Sequence, residues 1–157
     1  PIFYKNLDQF IKKIKEKGYK IKLDTNGGNP KVLEELIKKD LLDFIAMDIK
    51  SDKENYKKAA GTEINIEDIN KSIELIKKSG IDYEFRSTVI PSFFNEEIIM
   101  NIGKWLKGTK KYSLQQFKSD IPLLDKTFEG EKPFKKEVFK KFKEILEKDI
   151  NKIEIRI

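Results

Sequence analysis

The sequence has 157 residues, a formal charge of +6 from 33 Lys and Arg against 27 Asp and Glu, and neither cysteine nor histidine. Those two absences exclude disulfides and thiolate metal sites within the chain and remove the commonest general base and metal ligand. No stretch approaches the roughly 18 apolar residues of a membrane-spanning helix, and the 38% hydrophobic content, with 11 Phe, suffices for the core of one ordinary domain.

Leu7, Phe10, Ile11 and Ile14 recur at helical spacing and Gly18 stops the run, which predicts a helix over 6–17. Tyr19, Ile21 and Leu23 then alternate, predicting a strand at 19–24 that stops on Asp24-Thr25-Asn26-Gly27-Gly28. Asn29-Pro30 opens the next helix with proline at its first position. FIAMDIK, 44–50, is a near-continuous apolar run ending on Asp48 and Lys50, as in a strand of a parallel sheet covered on both faces.

A short helix or loop at 52–60 leads to a helix capped by Asn65 or Asn70, lined by Ile66, Ile69, Ile73 and Ile76, and ended by Gly80. YEFRSTVIP, 83–91, reads as a strand closed by Pro91. A helix at 95–106, a strand at 112–117, an irregular stretch at 118–133, a helix at 134–148 and a strand at 152–157 complete the chain. The long irregular stretch invites a functional role. Helix and strand alternate throughout, so the expected class is α/β with a parallel sheet, either open or curled as a barrel, in a single domain over 1–157.

Ligands of parallel α/β folds bind at the carboxyl ends of the strands. Four strands in a row bring polar groups there: Asp24, Thr25 and Asn26; Asp48 and Lys50; Glu84, Arg86 and Thr88; Gln115, Gln116 and Lys118. Each has a structural reading too. Asp24 could close a turn, Lys50 could be a surface lysine, and Glu84 could pair with Arg86 on the same strand face. Gln115 and Gln116 face opposite ways, so at most one reaches the rim. Together, the carboxylates suit a hard cation or an ammonium group, and Lys50 and Arg86 suit a carboxylate. An amino acid carries both.

LDTNG followed by proline, then AMDIK, YEFRSTVIP, YSLQQF and a terminal IEIR, in that order over about 1–156, resembles the radical S-adenosylmethionine activating proteins of glycyl radical enzymes. The likeness is to the type that activates anaerobic ribonucleoside-triphosphate reductase. The resemblance implies a partial (β/α) barrel. It implies S-adenosylmethionine chelated by the open iron of a [4Fe–4S] cluster and cleaved by one-electron reduction, and a hydrogen atom taken from a glycine of the partner enzyme. It places Asp24, Thr25 and Asn26 near the amino acid end of the cofactor, where some members also hold a cation. Asp48 and Lys50 fall on that same side. It places Arg86 beside the cofactor, Val89 and Pro91 where backbone approaches the adenine, and Gln115 and Phe117 near the cofactor or the incoming glycyl loop.

The chain departs from that family in one respect. The cluster is held there by a Cys-x3-Cys-x2-Cys loop, and no cysteine is present. The chain opens on Pro1 almost directly into a helical pattern, and the resemblance makes Pro1 the last residue of a Gly-Gly-Glu-Pro motif. The expectation is therefore a C-terminal portion of such an enzyme, lacking the N-terminal strands, with the cluster held only in the full-length parent and this portion inactive by itself. The alternative is a degenerate, non-catalytic interaction module.

A barrel without its first strands exposes the edge of the strand at 19–24, which predicts self-association there or cover by the first helix. The lysines lie among acids, and the only arginines are Arg86 and Arg156, which argues against a nucleic-acid partner. PIFYKNLDQF lacks the basic-then-apolar pattern of a signal peptide, and the expected location is cytoplasmic, with no membrane partner.

Overall fold

The computed structural model describes residues 6–119, 126–128 and 130–157. Pro1 and part of the 118–133 stretch lie outside the described residues. Five strands follow one another in the sheet as they do in the chain: β1 (Lys22–Thr25), β2 (Phe44–Asp48), β3 (Asp82–Val89), β4 (Tyr112–Gln116) and β5 (Ile153–Arg156). Helices α1 (Leu7–Lys15), α2 (Pro30–Lys38), α3 (Tyr56–Ala60), α4 (Ile66–Lys78), α5 (Glu96–Trp105) and α6 (Lys136–Leu146) alternate with them. The fold is the expected α/β class with a parallel sheet.

The chain forms two compact units. The first holds the described residues up to Asp48 together with Glu63–Phe85, and the second holds Ile49–Thr62 with the described residues from Arg86 onward. In the first unit α2 and α4 pack side by side. Leu33 and Leu36 of α2 and Ile69, Ile73 and Ile76 of α4 are buried, each worth about 1.5–3 kcal/mol of apolar burial. Asn29 caps α2 by accepting the Val32 N–H at 3.2 Å, and Asn65 caps α4 by accepting the Glu67 N–H at 3.0 Å. Of the two asparagines expected as caps for α4, Asn65 does the work, while Asn70 donates to Glu67 Oε1 at 3.3 Å.

In the second unit α5 packs on α6, and α6 on β5. Gly103 lies at the seam between the two helices: a Cβ there would make ordinary contacts of 3.5 Å with Leu146 Cδ2 and Asp149 Oδ2. Phe139, Phe142 and Leu146 of α6 are buried. Asn95 caps α5 by accepting the Ile98 N–H at 2.9 Å.

All five strands shift from their expected bounds by one to three residues, the first two for reasons that the structure shows. The first begins at Lys22 rather than at Tyr19, and Tyr19 is 66% exposed. The Ile21 N–H is taken by the Asp43 carboxylate at 2.6 Å, and the Ile21 carbonyl accepts the Asp43 and Phe44 N–H groups. The Asp43 side chain therefore takes the N–H that an earlier rung would need, and the Phe44 N–H on the Ile21 carbonyl is already the first rung of the β1–β2 ladder. The second strand stops at Asp48 instead of running to Lys50, because the chain turns there into the 49–56 segment described below.

Candidate functional site

The first unit places Asp24 and Asp48 on one sheet face. β1 and β2 pair in parallel, with Asp24 opposite Ala46 and Thr25 opposite Met47. Side chains alternate across a sheet, so Leu23, Thr25, Ile45 and Met47 share one face, and Lys22, Asp24, Phe44, Ala46 and Asp48 share the other. The first face is buried throughout and packs toward α4, since Gly27 abuts both Met47 and Ser72. On the second face Lys22 and Asp24 are exposed, Phe44 and Asp48 half-buried, and Ala46, opposite Asp24, fully buried. Lys22 Nζ stands 3.4 Å from Asp24 Oδ1 and 5.9 Å above the centre of the Phe44 ring.

Most of the polar run after β1 builds the turn. Thr25 Oγ1 accepts the Gly27 N–H at 3.1 Å, Asn26 Oδ1 accepts the Gly28 N–H at 3.1 Å, and Ser72 Oγ donates to the Gly27 carbonyl at 2.7 Å. Short polar side chains that accept N–H groups two residues on are the usual way to close such a turn. Gly27 has φ +76°, and a Cβ there would meet Met47 Cε at 2.1 Å. Thr25 points to the helix side and is buried, with its hydroxyl engaged. Asp24 alone of the Asp-Thr-Asn run carries its carboxylate onto the open face.

In the second unit Lys50 stands in the segment that follows β2. It is exposed, and the backbone around it is fixed from several sides. The Ile49 N–H donates to the Arg86 carbonyl at 2.8 Å, and Ser87 Oγ donates to the Ile49 carbonyl. Ser87 Oγ is also 2.6 Å from the Tyr112 hydroxyl. Tyr112 is fully buried, and burial pushes its phenol well above the ordinary value while the Ser87 hydrogen bond works in the opposite direction. It stays protonated at any working pH.

Two residues later Asp52, only 2% exposed, is saturated with donors. Its Oδ1 accepts the Asn55 N–H at 3.1 Å and Asn55 Nδ2 at 2.7 Å, and its Oδ2 accepts Asn101 Nδ2 of α5 at 2.9 Å. Tyr56 then meets Trp105 edge-on at 5.8 Å, and Lys53 Nζ lies 5.5 Å from the centre of the same indole.

Arg86 is half-buried on β3 and Val89 is fully buried near its end. Gln115 is half-buried on β4, opposite Arg156 of β5. Opposite Ser113, Glu154 accepts Arg156 Nε at 2.9 Å and Lys111 Nζ at 2.7 Å. These two bonds, that from Arg156 the stronger, pull its carboxyl down to about 2. Ser87, Tyr112, Asp52, Asn55 and Asn101 are structural partners of the rim that sequence reading missed. The spacing Asp52-x-x-Asn55 is a local signal that could have found two of them. No local signal points to Asn101, which comes from a helix 49 residues on.

Taken unit by unit, the two carboxylates on one face of the first unit are of the type that suits an ammonium, and Lys50 and Arg86 of the second are of the type that suits a carboxylate. The residues do not fit an iron–sulfur cluster, because the chain has no cysteine to supply a thiolate. Among the described residues no group of three or more His, Cys, Asp or Glu side chains could hold a metal ion, and no helix is long and apolar enough to cross a membrane. A groove of about 450 Å³ between α2 and α4, lined by Lys31, Glu34, Asp68 and Lys71 among others, contains none of the candidate residues.

Comparison with known proteins bears on the family and the fold. The family model described as Radical SAM superfamily matches residues 1–103. A Methanocaldococcus jannaschii protein that carries the name glycyl-radical enzyme activating enzyme is 41% identical over 107 residues, which cover 66% of this chain and 45% of that protein. The chain thus spans less than half the length of the curated relative it matches. A crystallised domain of pyruvate-formate lyase-activating enzyme from Bacteroides vulgatus superposes with a TM-score of 0.71 at 18% identity, over 95% of this chain and 88% of that one. That likeness is one of fold.

Proposed function

We propose, on the premise that the chain belongs to the radical SAM superfamily, that it is the C-terminal part of a glycyl-radical-enzyme activase and supplies the S-adenosylmethionine-binding strand ends of a partial barrel. The observation that carries this reading is the placement of Asp24 and Asp48 on the open face of β1–β2, followed directly by Lys50. In this reading Asp24 and Asp48 face the ammonium of the cofactor, and Lys50 and Arg86 pair with its carboxylate. Val89 contributes backbone beside the adenine, and Gln115 lies toward the incoming glycyl loop. Thr25 and Asn26 act by holding the turn that presents Asp24.

The bound cofactor supplies the radical chemistry of the family, and the chain's own residues bind and orient it and keep water away. The cluster would be held by residues outside these 157. The partner would be a glycyl radical enzyme, of the anaerobic ribonucleoside-triphosphate reductase type, in the cytoplasm. The β1 edge stands at one end of the sheet order, and we place there any self-association of the isolated chain.

The test is equilibrium binding of S-adenosylmethionine to the full-length protein. Asp24→Ala combined with Lys50→Ala should weaken binding at least about tenfold, since each removes a charge-assisted contact. Unchanged affinity in that double variant would remove the assignment.

A further inference from the structure

The 49–56 segment carries one candidate ligand-binding side chain, Lys50, and several interactions that touch no candidate at all. The most expensive of these is at Asp52. A carboxylate that is 2% exposed is costly to bury and persists only when its lone pairs are used. Here they are used by three donors, two from Asn55 in the same segment and one from Asn101 on α5. Upstream, Ile49 is bonded on both backbone sides, by the Arg86 carbonyl and by Ser87 Oγ. Lys50 therefore sits on a two-residue span whose ends are both tied to other elements of the same unit.

A flexible lysine gains affinity for an anion when its backbone is held in place, because less freedom is lost on binding. We infer that Asp52 and Asn101 form a positioning pair for Lys50: the clamp between the 49–56 segment and α5 fixes where the Lys50 ammonium is presented to the carboxylate of the cofactor. The inference rests on the cofactor reading of Lys50 given above. It assigns to Asp52 and Asn101 an effect on ligand affinity that travels only through Lys50, with no contact of their own to the ligand.

Asp52→Asn keeps the shape and the bonds from Asn55, but sets an amide NH2 against that of Asn101. The reciprocal exchange, Asp52→Asn with Asn101→Asp, restores donor to acceptor. Binding of S-adenosylmethionine to the full-length protein is measured by calorimetry for wild type, Asp52→Asn, Asn101→Ala, the exchange variant, Lys50→Ala, and Lys50→Ala combined with Asp52→Asn, with a thermal melt for each. Asp52→Asn and Asn101→Ala should each weaken binding about three- to tenfold, a coupling of the size that members of one network show. The exchange should recover most of that loss. In the Lys50→Ala background Asp52→Asn should produce no further loss.

If Lys50→Ala leaves affinity unchanged, the cofactor reading of Lys50 fails and the positioning role falls with it. If Lys50→Ala weakens binding while Asp52→Asn and Asn101→Ala do not, that reading stands and the positioning role is overturned. Equal losses from Asp52→Asn with and without Lys50 also overturn it, since the clamp would then act by another route. Should Asp52→Asn fail to fold, Asn101→Ala and the exchange variant carry the same comparison.

Discussion

The two turns that follow β1 and β2 solve the same problem by different means. Residues 25–29 close on themselves: Thr25, Asn26 and Asn29 each accept an N–H two or three residues on. The 49–56 segment is held from a distance, by Arg86, Ser87, Asn101 and Trp105. A turn satisfied by its own side chains has a composition that announces it. A segment tied also to partners far along the chain announces only its local part, here the Asp52-x-x-Asn55 spacing. The first should therefore be sensitive to backbone geometry, and the second to the loss of remote side chains.

Gly27→Ala attacks the local turn at its tightest point. The residue would have to hold φ +76° and its Cβ would overlap buried Met47, a combined cost of about 2–4 kcal/mol from left-handed strain and overpacking. A thermal or denaturant melt reads it, and a loss below about 0.5 kcal/mol would mean that the turn relaxes.

Ser87→Ala attacks the remote solution, removing the donor to the Ile49 carbonyl and the partner of the buried Tyr112 hydroxyl. The expected loss is about 1–3 kcal/mol. In the Ser87→Ala background Tyr112→Phe should cost much less than it does alone, because that hydroxyl has already lost its partner. Additive losses would show that Tyr112 is satisfied elsewhere. Asn29→Ala removes the α2 cap at the end of the local turn and should cost about 1 kcal/mol. Asn29→Asp, which retains an acceptor, should restore it.

The smallest effect is electrostatic and lies at β5. Glu154 has its folded-state pKa depressed from 4.5 to about 2, so its bonds to Arg156 and Lys111 stabilise the fold fully above pH 4.5. That contribution fades as the pH falls toward 2. The Glu154 side chain is 37% exposed, so salt should weaken the effect. Glu154→Gln should lower stability slightly at neutral pH and flatten the profile in that acid window, so that the two proteins converge toward pH 2. A wild-type profile that matches Glu154→Gln from pH 5 to 2 would remove the pair from consideration.

The elements themselves were legible because each periodic run ends on recognisable punctuation. Asn29-Pro30 opens α2, one of the two asparagines offered for α4, Asn65, opens it, and the apolar run at Phe44–Met47 marks β2. The start of β1 was not legible. Tyr19 continues the alternation of Ile21 and Leu23, and only the Asp43 carboxylate on the Ile21 N–H ends the ladder at Lys22. Of the candidate site, the residue types could be read from Asp24, Asp48 and Lys50. Which of the neighbouring polar groups face the open side could not, because alternation fixes parity along a strand but not which face the helices cover.

The sequence by itself determined the α/β class, the Asn29-Pro30 start of α2 and the absence of thiolate ligands, all of which depend on residues within a few positions of one another or on composition. Only the tertiary structure decided that Thr25 lies on the helix side while Asp24 faces outward, and that Asp52 is tied to Asn101. Both outcomes turn on which distant elements pack against a strand end, and burial makes an unpaired polar group there cost more than any local preference can offset.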